Sequence, residues 1–139
     1  MSGLLEYQDK LVRVTDSRGN TFTGVADTLS SDCGLRDFSR GEESVKIGDH
    51  RLFESDITKI ERLPTLEEAQ ASIPLGRYRH FKGREYEVLA IARHSETEEV
   101  MVVYRALYGE RGIWVRPAVM WNETITRDGR TFRRFERVG

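Results

Sequence analysis

The chain is expected to be mainly β, with two small β-barrel or sheet domains joined by a short helical linker. Three observations predict this. Short runs alternate apolar with polar residues, turn dipeptides separate them, and one segment at mid-chain combines helix formers with flanking prolines. The length of 139 residues accommodates either one ordinary domain or two very small ones. Domains near sixty residues bury only about 60% of their unfolded surface, so mutual packing or oligomerisation is expected.

Leu11-Val12-Arg13-Val14-Thr15 reads as a first strand, and Ser17-Arg18-Gly19-Asn20 as the turn into a second, Phe22 to Ala26. Ser30 to about Glu42 shows neither the helical nor the strand period and is expected to be a polar loop. Ser44-Val45-Lys46-Ile47 and Arg51-Leu52-Phe53-Glu54 flank Gly48-Asp49, a pair suited to a tight hairpin turn. Ile57 to Glu61 completes five strands, and closing them into a barrel would remove the exposed sheet edges.

Pro64 to Ser72 changes character. Thr65 and Glu68 form a capping-box pattern, and Pro74 forbids continuation, so a helical linker is expected over 64–73. Strands resume at Arg77–Phe81, Glu85–Arg93, Val100–Leu107 and Ile113–Arg116. Val100 to Tyr104 is apolar at every position and is expected to be a central strand covered on both faces. Asp128-Gly129 sits between Thr124–Thr126 and Thr131–Phe135, a strong hairpin signal. The domains are therefore expected at 1–63 and 74–139.

Charge separates the halves. Residues 1–63 carry nine Lys and Arg against twelve Asp and Glu, or −3; residues 74–139 carry thirteen against nine, or +4. A net charge of −1 argues against a chain-wide grip on nucleic acid, so an anionic partner is expected to meet the C-terminal half. The one cysteine, Cys33, allows no intrachain disulfide and no thiolate cluster, and neither a metal nor a cofactor is expected. The N-terminus lacks a signal-peptide pattern and no apolar run is long enough to span a bilayer, so the expected address is cytoplasmic, away from membranes.

Two family resemblances add to this reading. Lys10-Leu11-Val12-Arg13-Val14-Thr15-Asp16, Gly19 and Thr21-Phe22-Thr23-Gly24-Val25-Ala26-Asp27 resemble the first Sm motif, with Arg51 to Ile60 standing where the second should be. The resemblance implies an Sm-like, SH3-type barrel that serves as a scaffold or self-association unit, with homo-oligomers formed through the N-terminal domain. The polar loop pair through which Sm proteins bind RNA is not clearly matched. The second half resembles a bacterial family called domain of unknown function 1653. The residues that carry it are Gly76 to Gly83, Tyr86-Glu87-Val88, Ala92 to Thr97, Val102 to Gly109, Trp114-Val115-Arg116-Pro117 and Met120. That resemblance implies a domain and no activity.

No phosphate loop, dinucleotide Gly fingerprint, zinc-finger spacing or nucleophile elbow is present. His94 and Glu96 are two apart and on an extended strand would point to one side, able to share a proton or bind a polar ligand. With His80 they would resemble a two-His-one-carboxylate set, but the favoured reading is a plain polar turn whose side chains bond the backbone. Arg77-Tyr78-Arg79-His80-Phe81-Lys82 interleaves bases with aromatics, as in single-strand nucleic-acid binders or in a charged edge strand. Trp114 and Arg116 share one side of their strand, where an arginine beside aromatic surface can present its fork to an anion or pair with a structural carboxylate. Arg130, Arg133, Arg134 and Arg137 read as a solvated face.

The leading expectation is a non-catalytic module that binds an anionic partner (nucleic acid, nucleotide or acidic protein surface) through its C-terminal domain. Its ligand-binding residues would be drawn from Arg77, His80, Lys82, His94, Glu96, Tyr104, Arg105, Trp114 and Arg116. The alternative is a small-molecule enzyme with a pocket around His80, His94, Glu96 and Arg116. No catalytic residue is assigned.

Overall fold

The computed structural model describes residues 3–139. Mainly β, as expected, they fall into two compact units, 3–63 with 95–99 and 64–94 with 100–139. Among them no helix is long and apolar enough to cross a membrane.

The first unit contains β1 (Leu11–Asp16), β2 (Thr21–Val25), β3 (Asp27–Leu29), α1 (Ser31–Phe38), β4 (Ser44–Ile47), β5 (His50–Phe53) and β6 (Ile57–Arg62). These strands form two three-stranded antiparallel sheets, ordered β2-β1-β6 and β3-β4-β5. Val12, Val14, Ala26, Val45, Ile47 and Leu52 make an aliphatic core.

Two expectations change here. No closed barrel forms, because the expected second strand breaks at Ala26. Its N–H donates to Lys10 C=O and its C=O accepts from Asp9 N–H, both at 2.9 Å, so the chain leaves one ladder and enters another. Gly24 contributes by closeness rather than by an unusual conformation: a Cβ there would lie 3.0 Å from Ile47 Cγ2.

The expected polar loop also contains a helix, α1. Ser30 Oγ accepts from Cys33 N–H at 3.3 Å and caps it, and Ser39 ends it in the left-handed region. Asp32, Gly34 and Asp37 are weak helix formers, which hid it from a propensity reading. Gly34 is buried, and a Cβ there would lie 2.6 Å from Arg40 C=O and 2.5 Å from Glu42 C=O.

The second unit opens with α2 (Leu66–Ser72), where Thr65 and Glu68 make both hydrogen bonds of the capping box. There follow β7 (Gly76–His80), β8 (Glu85–Arg93), β9 (Val100–Ala106), β10 (Ile113–Pro117), α3 (Ala118–Trp121), β11 (Thr124–Arg127), β12 (Arg130–Arg133) and β13 (Phe135–Arg137). A five-stranded antiparallel sheet is ordered β10-β9-β8-β7-β13, and β11 and β12 form a separate hairpin. Asp128 and Gly129 both take positive φ, 52° and 76°, as a two-residue hairpin turn requires.

The expected last strand breaks at Arg134. Its N–H donates to Glu123 C=O and its C=O accepts from Phe81 N–H, each at 2.9 Å, so Phe135 can cross to pair with His80 on β7. In β9, Val100, Val102, Tyr104 and Ala106 are buried whereas Met101, Val103 and Arg105 are half-buried, so one face is fully covered rather than both.

Candidate functional site

Directly paired residues of antiparallel strands project to the same face. The register therefore places Tyr78, His80, Tyr86, Val88, Val102, Tyr104, Trp114, Arg116 and Phe135 on one face of the five-stranded sheet. Arg77, Arg79, Glu85, Glu87 and Arg105 take the other.

The first of these faces is organised by Phe135. Trp121, projecting from α3, stacks on it at 3.7 Å between ring centroids with an interplanar angle of 2°. His80 meets its ring edge-on at 5.0 Å and Tyr86 at 5.8 Å. Trp121 also packs on Tyr78 at 5.4 Å and on Tyr104 at 5.0 Å. Tyr78 and Tyr86 are both pushed up by burial; in Tyr86 the hydrogen bond to Tyr108 adds to this and carries the phenol to about 12.

Onto this aromatic face the sequence sets cations. The Arg116 guanidinium lies 5.7 Å from the Phe135 ring centroid, and among the described residues it has no ion-pair partner. Its Nε is buried without a hydrogen-bond acceptor, as are Arg134 Nε and Trp121 Nε1. Arg134 does reach Glu123, at 2.8 Å. His80 sits among these groups, its Nδ1 accepting from Lys82 N–H at 3.1 Å. Burial first, then the positive charges of Arg134, Arg116 and Lys82, hold its imidazole below the ordinary range.

Beside His80 opens a cleft of about 320 Å³ lined by Arg79, His80, Phe81, Arg130, Phe132, Arg133 and Glu136. Arg79 is paired with Glu85 at 3.2 Å, Arg133 donates to Asn122 Oδ1 at 2.7 Å, and Arg127 lies 5.2 Å from the Phe81 ring centroid. Three arginines against one glutamate give the cleft a positive lining.

Of the expected site residues, the structure brings His80, Lys82, Tyr104 and Arg116 together, with Trp114 on the same face at the sheet edge. Arg77 and Arg105 stand on the opposite face, where Arg77 pairs with Glu85 at 3.4 Å. His94 follows β8, whose nine residues put it roughly 30 Å from the His80 end of the sheet. Glu96 lies in the 95–99 segment, grouped with the first unit. Among the described residues no three His, Cys, Asp or Glu side chains are grouped to hold a metal.

Phe135 and Trp121 were not expected to shape a site. Phe135 was the findable one, an aromatic at the end of an arginine-rich run that had to turn inward.

One family model matches, at residues 76–137, described as a protein of unknown function (DUF1653). A crystal structure of a protein belonging to DUF1653 from Bordetella bronchiseptica is 40% identical over 50% of this chain and 92% of that one, with a TM-score of 0.47. No curated protein matches. Through its second unit, the chain belongs to the DUF1653 family.

Proposed function

We propose that the protein is a non-catalytic binding module that recognises an anionic partner through its C-terminal unit. The observation that carries this reading is Arg116, a half-buried guanidinium on an aromatic face with no carboxylate partner among the described residues and an unbonded Nε. A cation held this way pays desolvation without a compensating partner, an arrangement that favours a bound anion. Lys82 and Arg134 reinforce it at His80, and Arg130 and Arg133 extend the positive surface into the adjoining cleft.

Phosphate suits the fork of arginine, and Phe81 and Phe132 offer ring surface for a base, so single-stranded nucleic acid or a nucleotide is the partner class favoured. The first unit, with its Sm-like sequence pattern, would act as a scaffold, in an intracellular setting.

Fluorescence anisotropy with a labelled single-stranded oligonucleotide at several salt concentrations tests the reading. Three or four phosphate contacts would give a log–log salt slope of roughly −2 to −3. Replacing Arg116, Arg130 and Arg133 together by glutamine should lower affinity by about a hundredfold, at roughly 1.4 kcal/mol per decade. Unchanged affinity in that variant would refute it.

A further inference from the structure

We propose that β10 is a docking edge for a second copy of this chain, the two β10 strands pairing antiparallel about a twofold axis at Trp114. Among the described residues β10 is the terminal strand of its sheet, with β9 on one side and no strand on the other. Ile113, Trp114 and Val115 are 56%, 60% and 61% exposed. A flat apolar edge of this kind templates strand addition unless charge, proline or a bulge blocks it. The opposite edge of the same sheet is guarded: β13 has only three residues, and two of them are Glu136 and Arg137.

The backbone alternation shows what β10 offers. Ala106 N–H donates to Gly112 C=O at 3.0 Å, so residues 112, 114 and 116 direct their main-chain groups to β9. Ile113 and Val115 consequently present theirs outwards. Pro117 falls at the next outward position, where its missing N–H costs the sheet nothing and ends any added ladder. At the other end the left-handed backbone of Arg111, φ 56°, turns the chain away.

A second copy fits this short window. Setting Ile113 opposite the other copy's Val115, and Val115 opposite its Ile113, matches every outward N–H and C=O of both residues. The twofold then places the two Trp114 rings side by side on one face and the four aliphatic side chains on the other. No charged side chain falls directly opposite its like: Arg116 falls opposite Gly112, and Arg111 opposite Pro117. Each edge covers the apolar patch of its partner, so both exposed patches disappear together.

The area sets the strength. Three strand residues with Met120, itself 38% exposed, offer a few hundred Å² per copy. A standard interface takes about 800 Å² per partner, so the dimer is weak and concentration-dependent. Pairing also puts both Arg116 side chains on one face of a continuous ten-stranded sheet.

Sedimentation velocity of the full chain tests the proposal, over concentrations from about 1 μM to about 1 mM. The wild type should pass from the 16.1 kDa monomer towards twice that mass. Val115→Lys, which adds a guarding charge, and Val115→Pro, which deletes an outward N–H the protein's own sheet does not use, should each weaken association by about tenfold or more. Val115→Lys should keep the wild-type circular dichroism spectrum and melting temperature. A monomeric wild type throughout this range would overturn the proposal. So would a dimer that Val115→Lys leaves intact, which would move self-association to the first unit.

Discussion

The two units both build on antiparallel strands but enclose different interiors. The first closes over valine, isoleucine and leucine, and two of its arginines reach carboxylates in partly buried pairs: Arg13 meets Glu99 at 2.8 Å, and Arg40 meets Glu42 at 3.0 Å and Asp56 at 3.6 Å. The second closes over Tyr78, Tyr104, Trp121 and Phe135, and it leaves Arg116 on the Phe135 ring without a carboxylate partner among the described residues. Under the proposed reading, the aromatic core that reaches the surface beside Arg116 is the part that serves recognition.

The largest expected effect sharpens the contrast in cores. Trp121→Ala should cost about 3–5 kcal/mol in urea denaturation, because a large buried ring is lost from a stack that cannot collapse. Val45→Ala in the first unit should cost about 1–2 kcal/mol, by the methyl groups removed. Equal costs would dissolve the distinction between the cores.

Next is Gly34→Ala, expected to cost about 1–3 kcal/mol because backbone carbonyls, rather than a movable side chain, face the new methyl group. A thermal melt unchanged by this substitution would contradict the packing of α1.

The third comparison sets two arginines against each other. Arg13→Met strands Glu99 and should lower stability by about 1 kcal/mol with no effect on anion binding. Arg116→Met strands no carboxylate, so stability should stay within about 0.5 kcal/mol of wild type. Oligonucleotide affinity should nevertheless fall by about tenfold. The reverse pattern would assign recognition to the first unit.

The smallest effect is the pH dependence of His80. Its folded imidazole titrates below the ordinary 6.5, so the unfolded chain binds the proton more readily. The stability contribution is full above pH 6.5 and is lost as pH falls from there towards the folded value. A bound anion stabilises the imidazolium, so affinity should rise over the same range. His80→Gln should flatten both profiles; a wild-type profile that is already flat would remove His80 from the site.

Much of this arrangement was legible in the residues. Period-2 runs located most strands, Asp128-Gly129 located its hairpin, and Thr65 with Glu68 located α2, because each signal is local. The breaks at Ala26 and Arg134 were not legible. In both, a main-chain hydrogen bond to a distant segment ends a run whose side-chain pattern would allow it to continue. The site follows the same division. The pairing of Trp114 with Arg116 could be read from strand alternation, but the meeting of His80, Arg116 and Trp121 depends on β13 crossing to β7.

Nuclear magnetic resonance of the arginine Nε–H and tryptophan indole N–H groups tests the central claim most directly. A ¹⁵N-labelled full chain is titrated with a short single-stranded oligonucleotide. The account predicts that the Nε–H signals of Arg116 and Arg134 and the Trp121 indole signal shift together with a single affinity, while Arg13 and Arg40 stay fixed. Shifts confined to Arg13 and Arg40, or a titration that leaves Arg116 unmoved, would contradict it.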